Sequence, residues 1–409
     1  MNSVTEQVFN HSVAPTAEEL VARATALLPM LREKAASVEA NRMVSKETIK
    51  AFVDAGFFKI LQQKRWGGWE MDPIVFWRVL MELGRGCPSS TWNMMILGVH
   101  QWEFGHMDPR AAEDVWKDDN SVIIASSYGP TGTCEKVEGG YKLSGSWKCS
   151  SGTDHGQWAF VGGLVRDETG AAIDRIALLV PRTEYTIIDD WYVFGLAGTG
   201  SKSLEMKDVF VPEYRTHSLS AYQLNDRPSS YLHPFGTIFC GSVSAAIAGF
   251  AQGAIDTYVD QMGTRTLSAN ATMKAADVNP AVRARLGEAV AKVRSCRARL
   301  EHLMHESAQY VYRRELVPED VRVGHVLDIS RVGNECTEAV LKLFPAMGAR
   351  GLYTSNPMQR FLRDIIAGSN HMTQNIDDSM GLIGARMLGT ALPPSGYGIQ
   401  RKAPTPAAK

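Results

Sequence analysis

The chain has 409 residues, 44% apolar and 21% charged, long enough for two or three domains and too apolar for a mainly disordered protein. A formal net charge of −1 offers no basic field to nucleic acid or an anionic membrane surface. Six scattered cysteines (Cys87, Cys134, Cys149, Cys240, Cys296, Cys336) contain no C-x-x-C pair, which argues against a metal (zinc) site or a disulfide frame and for free thiols in a reducing cytoplasm. No signal peptide is expected from MNSVTEQVFNHS, and no stretch approaches the roughly 18 uninterrupted apolar residues of a membrane span.

Residues 1–15 are polar and expected to be loose. Thr16 and Glu19 form a capping box before LVARATALL, so a helix starts there; Pro29 is expected to kink or divide it. Ser45 caps a second helix from Glu47 to Ala55, and KRWGGWEMDP reads as a loop. Helices follow over Ile74 to Leu83, over Thr91 to about Phe104, and after Asp108-Pro109. From Ser121 the pattern changes to six short alternating or apolar runs between Gly, Pro and Asp breaks, IIDDWYV among them, the signature of an antiparallel β region over 121–215. A Ser-, Asn- and Pro-rich linker runs to about Pro234. Three long helical patterns begin at Gly241, then two shorter ones, around MQRFLRDI and from about His371 to Leu388, before a disordered APTPAAK tail. The expected fold class is multidomain α+β: an N-terminal helical domain (1–120), a β-barrel or sandwich domain (121–233) and a C-terminal helical bundle (234–409).

The most chemically loaded stretch is SGSWKCSSGTDHGQWAFVGG, Ser144 to Gly163. Its turn sets Ser150, Ser151 and Thr153 beside Gly152, Asp154 and His155. Hydroxyls and turn N–H groups approach a flat heteroaromatic ligand closely where glycine removes a Cβ. Asp154-His155 lacks the G-x-S-x-G elbow of a hydrolase and is assigned to turn structure or ligand-site support. GLAGTGS is glycine-rich without being G-x-G-x-x-G, so no nicotinamide site is evident.

The order helices–strands–helices, with GTGSKSLEMKDVFVPEYR and MGARGLY…NPMQRFLRD, resembles the acyl-CoA dehydrogenase fold over nearly the whole chain. CSSGTDHGQWAFVGG, IIDDWYVFGLAGTGS and RFLRDIIAGSNHMTQNIDD are similar to the group D branch, the oxygenase components of two-component flavin-dependent monooxygenases that hydroxylate p-hydroxyphenylacetate and secosteroid phenols. Where the dehydrogenases commonly carry a glutamate base after Arg-Asp, this chain has His371-Met372. Methionine cannot abstract an α-proton, which argues for oxygenation over acyl-CoA desaturation.

The resemblance implies reduced FMN or FAD from a separate NAD(P)H:flavin reductase, O2 as co-substrate, a C4a-hydroperoxyflavin, a small aromatic substrate, and a cytoplasmic homotetramer. It also implies residue roles. Ser150 or Ser151, with Ser151 favoured, bonds flavin N5. His100, on the apolar helix TWNMMILGVHQW, contacts and deprotonates a phenol; on its own it would be a core histidine. Ser126, with Ser127 as rival, joins His100 at the substrate oxygen; Trp92, roughly two turns before His100 on the same helix, is expected from that spacing to wall the cavity toward substrate and cofactor. His371, expected at a helix start whose dipole disfavours imidazolium, faces the oxygenated flavin. Arg265 opens an Arg-x-x-Phe-like phosphate element in which Ser268 stands for Phe. The rival readings are oxygenation at an indole carbon, nitrogen or sulfur, an acyl-CoA dehydrogenase with its base elsewhere, and a non-catalytic flavin-binding scaffold.

Overall fold

The structure, a computed structural model, describes residues 14–267, 270–274 and 279–390. The expected loose start before residue 14, Ser268 and the APTPAAK tail lie outside the described residues.

Helix α1 (Ala17–Asn41) begins at the expected capping box: Thr16 Oγ1 accepts the Glu19 N–H at 3.1 Å and Glu19 Oε2 accepts the Thr16 N–H at 2.8 Å. Pro29 does not divide it. Proline inside a helix costs about 3 kcal/mol, but Leu20, Ala24, Leu28, Leu31, Ala35 and Val38 form one buried seam on both sides of it, and that packing holds the helix through. Next come α2 (Lys46–Asp54, capped by Ser45), α3 (Pro73–Leu83), α4 (Pro88–Glu103) and α5 (Pro109–Trp116). Helix α4 starts three residues before the expected Thr91, because Pro88 suits the first helical turn. All of its residues are buried.

The strands are β1 (Ile124–Ser127), β2 (Thr133–Val137), β3 (Gly140–Ser150), β4 (Trp158–Arg166), β5 (Ala172–Pro181), β6 (Thr186–Ile188), β7 (Lys202–Pro212) and β8 (Thr216–Ser218). They form two four-stranded sheets, ordered β1-β4-β5-β8 and β2-β3-β7-β6. Every pair in them is antiparallel except β1–β4, which runs parallel with Ile124 opposite Trp158. The chain leaves the first sheet after β1, makes a hairpin in the second, and returns running the same way. IIDDWYV is a strand only as far as Ile188. Asp189 is drawn to Arg42, at 2.6 Å, and Asp190 takes the Ser203 N–H and hydroxyl. Trp191 to Leu196 is thereby released from the sheet as a loop.

Helix α6 (Phe235–Thr264) starts six residues before the expected Gly241. Its most apolar 18-residue window has a mean hydropathy of 1.6, enough for a membrane span by composition, yet 94% of that window is buried within the protein; a helix apolar all round belongs to a core. A hairpin of β9 (Thr266–Leu267) and β10 (Asn270–Lys274), not foreseen, leads on to α7 (Pro280–Val311), α8 (Glu319–Leu343), α9 (Pro357–Ser369) and α10 (Ile376–Met387).

Helices α3 and α6 pack where Trp77, fully buried, donates its indole N–H to Ser242 Oγ at 3.0 Å. A Cβ on Gly241 would lie 2.2 Å from the Trp77 ring. Gly241→Ala is therefore expected to cost about 2 kcal/mol, seen as a lower denaturant midpoint. Gly263→Ala on the same helix, where a Cβ meets nothing within 4 Å, should not lower it.

Candidate active site

A cavity of about 570 Å³ opens between α4, the end of β1, the turn after β3, the loop Trp191–Leu196 and the end of α9. Trp92, Trp191, Phe194 and Phe239 make its walls mainly apolar, and Ser126, Ser151, Thr199 and Ser201 supply hydroxyls. A mainly apolar cleft of this size with a few convergent polar groups is the usual form of a small-molecule site.

The hydroxyls have a fixed direction. Thr199 donates to the Leu196 carbonyl at 2.7 Å, so its oxygen accepts from Ser201 at 2.6 Å. Ser201, its proton committed, accepts from Ser151 at 2.7 Å, and Ser151 accepts the Trp92 indole N–H at 3.1 Å. A hydroxyl has one proton and two lone pairs, so Ser151 can offer a ligand only its remaining lone pair. It is an acceptor for a ligand N–H. Gly152 N–H bonds the Thr199 carbonyl at 3.0 Å and ties the turn to this chain. Ser150 is buried outside the cavity wall, its Oγ without a partner.

His371 lines the cavity, its ring edge-on to Trp92 with centroids 5.6 Å apart. It does not begin the helix expected there. It follows the C-terminal end of α9 and caps a short 3₁₀ turn, Met372–Gln374. A helix C-terminus favours imidazolium; burial instead pushes the ring down to about 4. The ring is neutral for a different reason from the one the sequence suggested. Its Nδ1 lies 3.4 Å from the Thr373 N–H that donates to it, so the proton sits on Nε2.

His100 is fully buried and is not in the cavity wall. It packs against two residues that are, Tyr128 and Phe239, at centroid distances of 5.8 and 5.9 Å. Its Nδ1 is 2.7 Å from Glu103 Oε2, and its Nε2 has no partner. Tyr128 donates its hydroxyl to the same Glu103 oxygen, and His217 Nε2 meets the other at 2.6 Å. Burial alone would raise the Glu103 carboxyl; hydrogen bonds from His100 and His217 overcome it and hold it down to about 2. Burial, then the Glu103 charge, pushes the Tyr128 phenol far up.

Ser126 and Trp92 thus share the cavity with Ser151 and His371, while His100 stands behind the wall. The Ser127 hydroxyl is committed to the Lys148 carbonyl. Arg265 is elsewhere: it lines a separate pocket with Gln261 and Arg350 and donates to the Ala346 carbonyl at 3.0 Å. Asp154 pairs with Lys202 at 2.9 Å and His155 meets the Val44 carbonyl at 3.0 Å, which makes them turn supports. Sequence reasoning missed Tyr128, Glu103, His217, Thr199, Ser201 and the Trp191–Phe194 loop. Only the His100–Glu103 pair carried a local signal, the i,i+3 spacing that puts both on one helix face.

The acyl-CoA dehydrogenase N-terminal domain family matches residues 13–107 and the acyl-CoA dehydrogenase C-terminal domain family residues 242–376. The chain is 38% identical over 387 residues to the oxygenase subunit HsaA of a flavin-dependent monooxygenase from Mycobacterium tuberculosis, covering 92% of this chain and 97% of that one. It is 31% identical to the oxygenase component of an FADH(2)-dependent resorcinol hydroxylase from Rhizobium, over 90% of this chain and 94% of that one. The crystal structure of 3-HSA hydroxylase from Rhodococcus sp. RHA1 superposes with a TM-score of 0.86 at 34% identity, covering 92% of this chain and 98% of that one.

The loop over the cavity is anchored by Asp364 of α9, whose Oδ1 accepts the Leu196 N–H at 2.6 Å. Burial pushes this carboxyl up to about 7, against the pull of that N–H. The folded protein therefore binds this proton more tightly than the unfolded chain, so the contribution is complete below about pH 4 and is lost as pH rises to about 7. Asp364→Asn keeps an acceptor oxygen and removes the titration. Its unfolding free energy relative to the parent protein should rise between about pH 4 and pH 7 and level off above; a pH-independent difference in denaturant titrations would contradict this.

Proposed function

The chain belongs to the oxygenase components of two-component flavin-dependent monooxygenases within the acyl-CoA dehydrogenase family, and on that premise we propose that it places one atom of O2 on an aromatic ring, a phenol at its ortho carbon. Reduced FMN or FAD would come from an NAD(P)H:flavin reductase, in the cytoplasm. The observation that carries this reading is the wall of the cavity. It couples aromatic faces to an acceptor-only Ser151, and none of the described residues lining it is Asp or Glu, where an acyl thioester desaturase needs a carboxylate base.

The residues present fit a reduced flavin. Ser151 holds out a lone pair of the kind that a ring N–H of the reduced isoalloxazine satisfies, and Trp92, Trp191 and Phe194 offer flat apolar faces. When bound, the flavin activates O2 and supplies the oxygen atom. The chain's own part is orientation and dryness. Ser151, held by Trp92 and Ser201, fixes the flavin edge. His371, neutral, presents an Nε2–H donor beside Trp92. Ser126, in the cavity wall, and the unpartnered Nε2 of His100, packed behind Tyr128 and Phe239, are the groups for the substrate hydroxyl, and those two side chains would have to part for a substrate to meet Nε2. A phenol that gives its proton to His100 becomes a phenolate, whose ring carbon is the better nucleophile toward an electrophilic oxygen. Arg265 has no part in the cavity of a single chain. Exposed Leu352, Tyr353, Met387 and Leu388 in the C-terminal helical region support self-association, with a homotetramer as the proposed state.

With a reductase, NADH and p-hydroxyphenylacetate or resorcinol as trial phenols, the protein should yield hydroxylated product; reduction of its flavin by an acyl-CoA would overturn the reading. His100→Ala should lower the hydroxylation rate about 100-fold with flavin affinity within twofold, whereas unchanged turnover would favour an indole, nitrogen or sulfur substrate. Ser151→Ala should raise hydrogen peroxide released per product on the order of tenfold, as expected for one lost hydrogen bond.

A further inference from the structure

The assignment of His100 as the base leaves open what decides which of its nitrogens is free. The answer lies in a buried cluster behind the cavity wall. Glu103, one turn further along α4, is 1% exposed and accepts from three groups. They are His100 Nδ1 at 2.7 Å, the Tyr128 hydroxyl from the end of β1, and His217 Nε2 at 2.6 Å from β8. His217 Nδ1 lies 3.1 Å from the Ser218 carbonyl. Both ring nitrogens of His217 therefore face oxygens that can only accept, which fixes the ring between β8 and Glu103. A lone buried carboxylate would be costly; this one meets His217 on one oxygen and His100 and Tyr128 on the other.

We infer that Glu103, held in place by His217, is a positioning residue that keeps the proton of His100 on Nδ1 and so leaves Nε2 as the free base for the substrate. The inference rests on His100 being the group that receives the substrate proton. In that step the phenol O–H breaks and an N–H forms at Nε2, while Nδ1–H stays on the Glu103 carboxylate. The products are phenolate and imidazolium. The proton moves only from the phenol to His100, so the step separates charge but adds no net charge to the apolar interior. The other charged or titratable groups around the cluster are Arg175, His106 and Arg227. Arg175 donates to the Tyr128 carbonyl at 2.7 Å, His106 lies 6.0 Å from His217 ring to ring, and Arg227 donates to the His106 carbonyl at 3.1 Å. His106, Arg227 and His217 also line a second small cavity of about 170 Å³.

If the carboxylate is replaced by an amide, the Nδ1 position can be met by an amide N–H, and the proton of His100 is free to move to Nε2, where it cannot act as base. The test uses the full-length protein with reduced flavin under anaerobic conditions and 4-nitrophenol as probe, because its ionised form absorbs visible light. The readout is the pH at which half of the bound probe is ionised. In the parent protein this midpoint should lie below that of the free probe. Glu103→Gln should move it up by at least one pH unit and lower the hydroxylation kcat about 100-fold, with KM for flavin within twofold; Glu103→Asp should recover part of both. His217→Gln, which keeps a neutral donor at the carboxylate, should shift the midpoint in the same direction by less, and it carries the test if Glu103→Gln does not fold. If both variants ionise the probe as the parent does while His100→Ala does not, the inference is wrong and His100 still acts as the base. If His100→Ala also leaves the midpoint unmoved, the assignment of His100 falls with it.

Discussion

A helix buried on every side must find partners for its polar side chains inside the protein, and α4 is such a helix. Its Trp92 reaches the turn after β3 and starts the hydroxyl chain that ends on the Leu196 carbonyl. Its Glu103 reaches Tyr128, just past β1, and His217 of β8. Trp102 donates to the Ser230 carbonyl at 2.8 Å, in the segment leading to α6. These bonds draw both sheets and the linker around one helix. The cavity is the space left where the walls are aromatic and the remaining polar edge is already organised.

That arrangement divides the labour. One end of α4 prepares the face that would hold a reduced flavin, through an oxygen able only to accept. The other end prepares a base, through a carboxylate able only to accept. Between them lie Phe239, Tyr128 and Ile96, with little to offer water. The chamber suits chemistry in which a reactive oxygen must meet an electron-rich ring before solvent does. Long-range pieces complete it: the loop after β6 is tied to α9 by Asp364, and His371 closes the far side.

Much of the architecture was legible in the chain. The Thr16–Glu19 box, the Ser45 and Asp108 caps and the change of period near Ser121 are local signals, and local signals survive folding. What failed depended on distant partners. Pro29 is carried by a seam packed against other helices. The strand expected through IIDDWYV stops because Arg42 and Ser203, far away in sequence, claim its two aspartates. The parallel β1–β4 pair reflects a chain path that alternation cannot encode. At the site, Ser126, Ser151 and His371 were named through family resemblance and Trp92 from its helical spacing to His100, and the structure gathers them around one cavity. Between Ser150 and Ser151 the sequence had no preference of its own, since only the side that each faces separates them. Glu103 looked like the polar end of an apolar helix, because His217 stands 114 residues away.

The most direct measurement is a crystal structure of the anaerobic protein with reduced flavin and a phenol bound together. The account requires the N5 edge of the isoalloxazine within hydrogen-bond distance of Ser151 Oγ, and the phenol oxygen on His100 Nε2 with its ortho carbon facing the flavin. A flavin seated outside this cavity, or a phenol bound with its hydroxyl turned away from His100, would contradict it.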